Sequence, residues 1–110
     1  MAYDEELAAR VRALMSERAD VTEKRMFGGL AFLIGGNMAV AASGQGGLMV
    51  RLEPSETGAA LDEPGTRTME MRGRAMKGWI RIDDAVLGDD DVLSSWVERG
   101  SAYAAGLPAK

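Results

Sequence analysis

Glycine pairs at 28–29, 35–36 and 46–47 cut the middle of this chain into short apolar runs. Each glycine inside a helix costs about 1 kcal/mol relative to alanine, so residues 28 to 52 are a poor helix. Read at period two, the same stretch makes sense as strands. Leu30, Phe32 and Ile34 point one way while Ala31 and Leu33 point the other. Gly35-Gly36-Asn37 supplies residues that tolerate positive φ, which a tight hairpin turn demands. "MAVAAS" returns as a second strand, "GQGG" turns again, and "GLMVRLE" makes a third pass with Leu48, Val50 and Leu52 on one face. The expectation is a three-stranded antiparallel meander. Gly28-Gly29 differs from the turn pairs because it sits at a strand start, where glycine marks a bulge or a close backbone approach. A phosphate-binding loop is not the explanation. There is no G-x-x-x-x-G-K-[ST], and no G-x-G-x-x-G opens onto a helix.

Helical patterns flank the meander. Across residues 4 to 18, Leu7, Val11, Leu14 and Met15 recur on one stripe, and Asp4, Glu5 and Glu6 suit the positive end of a helix dipole. "SETGAALDE" predicts a short helix capped by Ser55, and Pro64-Gly65 a turn. "TRTMEMRG" and "GWIRIDD" alternate, giving a second hairpin across "RGRAMK". Asp89 to Asp91 start a last helix whose buried face is Val92, Leu93, Trp96 and Val97, fraying through Gly100 and Gly106. The order predicts a two-layer α+β fold, an antiparallel sheet of meander plus second hairpin with helices on one face. The 110 residues are expected to form a single domain.

Two absent residue types remove much chemistry. With no His and no Cys, neither a Ser-His-Asp nor a Cys-His nucleophile system can be built, and no His/Cys zinc site. Acid-base work would fall to carboxylates, Lys or Tyr. No cofactor and no metal is expected, and the acids Asp83 to Asp91 lack the spacing of a calcium loop. The uncharged stretch from Met26 to Val50 is too rich in glycine to cross a membrane, and the acidic start "MAYDEEL" is unlike a secretory signal. A cytoplasmic protein is expected, and the lack of cysteine fits a reducing compartment.

Several motifs together carry a resemblance. "KRMFGGLAFLIGGNMAVA", then "GGLMVRLE", "EPGTRTMEMRGRAMKGWIRI" and "DDDVLSSWVERG" resemble the TfoX/Sxy N-terminal domain family from about Leu7 to Val97. The match is strongest at Arg25, Met26, Phe27, Gly28 and Gly29. The resemblance implies an α+β fold similar to the secretion-chaperone-like architecture, and a regulatory role. Family members named for competence regulation carry this domain beside a C-terminal helical domain and act with a transcription activator. This sequence is expected to be a stand-alone copy. The resemblance supplies no catalytic residues, and the pentad is expected to serve structure, with Phe27 anchoring the first helix to the sheet.

Three functional readings follow. The first is a non-enzymatic regulatory module that binds a protein partner or a second copy of itself. Its candidate surface is Trp79 with Arg81, Arg72, Arg74 and Lys77, since Trp beside Arg is the composition of interface hot spots. Methionines 26, 38, 49, 69, 71 and 76 fall on or beside the predicted strands and either fill the core or line an adaptable surface. The second reading is nucleic-acid binding through the basic hairpin, against which stand a net charge of −4 and an aromatic content of 5%. The third is a small-anion binder or enzyme using Arg25 and Arg51 as a fork.

Overall fold

The computed structural model describes residues 3–26, 28–71 and 73–109, with the backbone alone for Met71. Helix α1 (Glu5–Leu14) is followed by strands β1 (Val21–Met26), β2 (Gly29–Ile34), β3 (Asn37–Ala42) and β4 (Leu48–Arg51). A 3-10 turn (Pro54–Glu56) leads into the one-turn helix α2 (Thr57–Ala60). The hairpin β5 (Thr66–Met71) and β6 (Arg74–Ile82) comes next, and α3 (Asp84–Leu87) and α4 (Asp90–Ala105) complete the order. The strands form one sheet in the order β1-β2-β3-β4-β6-β5, with every neighbouring pair antiparallel. The predicted α+β architecture is what the chain adopts.

The helices cover one side of this sheet. Leu30, Phe32, Ile34, Val40, Val50 and Ile80 bury themselves against Leu7 and Val11 of α1 and Leu93, Trp96 and Val97 of α4. Burial of a side chain this size contributes about 1.5–3 kcal/mol, so this layer is the main source of stability. The helix caps are local. Asp4 accepts the amides of Glu6 and Leu7, and Asp89 those of Asp91 and Val92, each satisfying donors left open at a helix start.

Several details depart from the sequence reading. Strand β1 is unforeseen because its helix-side residues, Glu23 and Arg25, are charged and its burial is slight, so no apolar alternation announces it. Leu14 is 45% exposed rather than part of the α1 stripe, and α1 stops at Leu14 instead of continuing toward residue 18. Ser55 caps nothing: the 3-10 turn and α2 begin without a side-chain cap. Helix α4 does not fray at Gly100; it runs on to Ala105, and Gly100 lies buried against Ala39 and Val40 of β3. Within the β2–β3 turn, Gly35 and Gly36 carry the positive φ values, while Asn37 already belongs to β3 and is buried. Its Nδ2 donates to the Pro108 carbonyl at 2.9 Å, tying down the segment after α4.

Glu23 explains why a polar strand stays at this edge. Arg12 of α1 grips it with two parallel hydrogen bonds, the Nη2–Oε1 one at 2.8 Å. The hydrogen bond and charge of Arg12 hold the Glu23 carboxyl below its ordinary pKa. A depressed carboxyl pKa stabilises the fold above the unfolded glutamate value of about 4.3, and that contribution disappears as pH falls through the lower folded value. Urea midpoints of wild type and Glu23→Gln are therefore expected to differ at pH 7 and to draw together as pH falls below about 4. A gap that persists unchanged at pH 3 would contradict the ion-pair account.

Candidate interaction surface

The side of the sheet away from the helices has a second apolar layer. Ala31, Met38, Ala41, Met49 and Met69 are buried there, with Met26, Leu33, Met76 and Trp79 half-buried around them. The register explains how methionines fill this space. One transverse row reads Lys24, Ala31, Ala41, Met49, Arg81 and Arg67, from β1 across to β5. Alanines on the two inner strands leave room, and unbranched thioether side chains from their neighbours fold over it.

The charged strand residues described on this side are all cationic, with Asp83 and Asp84 at its β5–β6 corner. Lys24, Arg67 and Arg81 belong to that row, and Arg74, two positions before Met76 on β6, shares its side. The strand acids, Glu23 and Glu70, take the other side: Glu23 meets α1, and Glu70 alternates with Met69. The cations carried by helices, Arg10, Arg12 and Arg99, each meet a carboxylate: Asp90, Glu23 and Glu63. On the sheet side only Arg67 does so, with Asp83 at 2.9 Å. Among the described residues Lys24, Arg74 and Arg81 form no ion pair.

Trp79 faces this layer, opposite in direction to Ile80 and Ile82, and is half-buried. Arg51, its cross-strand partner, places its guanidinium carbon 5.5 Å from the Trp79 ring centre and 5.6 Å from that of Tyr103 on α4. Such stacking orients both partners and is worth about 0.5–1 kcal/mol at exposed sites. Arg81 holds the β3–β4 turn instead of standing free. It donates to Gln45 Oε1, Ser43 Oγ and the Gly46 carbonyl, all at 3.1 Å and all neutral. Arg74 and Lys77 are exposed, and Arg72 lies outside the described residues.

The pentad at 25–29 divides by role. Arg25 is exposed on β1 and Met26 joins the methionine layer, while Phe27 lies outside the described residues. Gly28 turns the chain at φ +75°, and Gly29 packs against the Ala42 carbonyl so closely that a Cβ would sit 2.2 Å from its oxygen. Arg25 and Arg51 are not brought together. Strands β2 and β3 separate theirs, a span of about 14 Å at ordinary strand spacing.

The acids from Asp83 to Asp91 are dispersed among structural tasks. Asp83 pairs with Arg67, Asp84 accepts the Gly47 amide at 3.1 Å, Asp89 caps α4, and Asp90 meets Arg10 at 2.8 Å. Among the described residues no group of three or more acids could hold a metal ion. No described helix is long and apolar enough to cross a membrane. The residues that sequence reasoning passed over are Lys24 and Leu33, whose shared side with Trp79 is set by pairing register across the whole sheet.

These features define an α+β domain whose antiparallel sheet is sheltered by helices on one side and lined by methionine on the other. The chain belongs to the TfoX N-terminal domain family, whose model matches residues 13–104. It is a competence-regulator-like domain by that membership. Comparison with curated proteins and with solved structures finds no match.

Proposed function

We propose that this chain is a non-enzymatic regulatory module, cytoplasmic in setting, that works by binding a protein through the helix-free side of its sheet around Trp79. The observation that carries this reading is Trp79 itself. A large amphipathic ring lies half-exposed on a methionine layer, with Arg51 stacked on it and Arg81 two positions further along the same strand. Aromatic and Arg side chains in such settings dominate binding energy at protein interfaces. Family membership supports the non-catalytic part, since the family is not a known enzyme family. The partner is another protein or a second copy of the chain, and light scattering after size exclusion separates the two.

Trp79→Ala provides the test. Partner capture or self-association is expected to fall at least about tenfold, because interface Trp truncations commonly exceed 2 kcal/mol. The melting temperature is expected to move less, since Trp79 lies outside the helix-side core. A large drop in melting temperature with association unchanged would show that the ring is packing material only.

A further inference from the structure

Resting on the interaction reading above, we infer that the helix-free side of the sheet receives an acidic amphipathic helix from a protein partner. Charge complementarity is the first argument. The protein is acidic overall, at −4, yet this one side displays Lys24, Arg67, Arg74 and Arg81 and no strand carboxylate. Helix-borne cations elsewhere are already matched with acids, whereas Lys24, Arg74 and Arg81 form no ion pair among the described residues, although Asp83 and Asp84 line the same cavity as Arg81.

Dimensions are the second argument. Lys24 on β1 and Arg81 on β6 are four strand steps apart in the same row, or about 19 Å at 4.8 Å per step. A helix with its side chains is about 10–12 Å across, so it fits between these margins with carboxylates on both flanks of its apolar stripe in reach of them. Beneath it lie Ala31 and Ala41, which keep the centre of the row low, and Met26, Leu33, Met76 and Trp79 around them. Methionine side chains can re-pack around whatever apolar residues the helix presents. A nucleic acid fits less well. Its bases would find one described aromatic ring, Trp79, on this layer, and methionine offers little to stack on.

The probe is a fluorescein-labelled peptide of roughly 18 residues, about 27 Å long as a helix, with leucines on one stripe and glutamates flanking it. A twin with lysine in place of glutamate and a labelled single-stranded DNA are the comparators, all titrated against the full chain by anisotropy. The acidic peptide is expected to bind and gain helical circular dichroism, the lysine twin to bind at least about tenfold more weakly, and added salt to weaken binding. Lys24→Glu/Arg74→Glu is expected to weaken the acidic peptide about tenfold, since two rim attractions become repulsions. Neither side chain makes a hydrogen bond or ion pair among the described residues, so folding should survive, and Lys24→Gln/Arg74→Gln serves if it does not.

Equal binding of both peptides, no binding of the acidic one, or indifference to the double variant overturns the inference. Tighter binding of the DNA also overturns it, in favour of a nucleic-acid partner. A dimer that Lys24→Glu/Arg74→Glu splits while the peptide stays unbound overturns it in favour of a second copy. If the peptide does not bind but Trp79→Ala still abolishes association, the helix is wrong and the interaction reading stands. If the peptide binds wild type and Trp79→Ala equally, the ring is not part of the site and the Trp79 reading fails instead.

Discussion

Gly29→Val is expected to lower the melting temperature by on the order of 20 °C, while Gly28→Ala lowers it by less than half as much. The two glycines are adjacent and serve different ends. At Gly29 the backbone is not in a left-handed conformation; the obstacle is space. A Cβ there would lie 2.2 Å from the Ala42 carbonyl oxygen and 3.1 Å from the Gly44 amide nitrogen, both backbone atoms that cannot rotate away. Strand β2 would have to part from β3 beside the Leu30–Ala42 pair, in the centre of the core. Overpacking of a rigid site costs about 1–3 kcal/mol when the neighbours can yield. Here the neighbour is a strand, and about 4 kcal/mol is expected, a large part of a domain's total stability. Gly28 has open space around it and φ +75°, so alanine there pays only the left-handed penalty, about 1–2 kcal/mol. Thermal melts of both variants by circular dichroism make the comparison. A Gly29→Val protein melting within a few degrees of wild type would free Gly28-Gly29 for a role in binding.

The second large effect is expected to run against helix propensity. Replacing a glycine inside a helix with alanine normally stabilises by about 1 kcal/mol. Gly100→Ala in α4 is expected to destabilise by about 2 kcal/mol net, with a fall in melting temperature near 10 °C. The added Cβ would meet the Ala39 carbonyl oxygen at 2.6 Å and Val40 Cγ1 at 2.9 Å. Helix α4 would then lift from β3, and with it Leu93, Trp96 and Val97, which fill the core. Gly58→Ala in the one-turn helix α2 is the open-space comparison. Nothing lies within 4 Å of its would-be Cβ, so the ordinary propensity gain should appear there. Stabilisation by Gly100→Ala would show that the helix does not sit this close to the sheet.

These two positions mark how far the amino-acid order could be read. Gly28-Gly29 stands out because it interrupts an apolar run, and its place at a strand start suggests either a bulge or a close backbone approach, of which Gly29 shows the second. Gly100 carried the opposite suggestion, since glycine near a helix end usually signals fraying. Nothing local distinguishes a glycine that ends a helix from one that lets a helix touch a sheet. Strand β1 was illegible for a related reason. Its inward residue Glu23 is made acceptable by Arg12, eleven positions earlier on another element.

The candidate surface divides in the same way. Alternation along one strand was enough to set Trp79 and Arg81 against Ile80 and Ile82, because side chains on a pleated strand can only point one way or the other. Alternation could not say what lies beside Trp79. Arg51 reaches it by cross-strand pairing, and Lys24, Ala31, Ala41 and Met49 share one row with Arg81 only through register across strands far apart in sequence. It also could not foresee that Arg81 would spend its donors on the 43–47 turn.

By itself, then, the order of residues determined the element types other than β1, the antiparallel layer under helices, the turn glycines and the family, since each rests on near neighbours through periodicity and φ preference. Tertiary structure alone decided which glycines are crowded, which charges are neutralised and which methionines gather on the uncovered side. Those outcomes depend on distances between residues brought together by strand pairing and helix packing, and no local pattern encodes them.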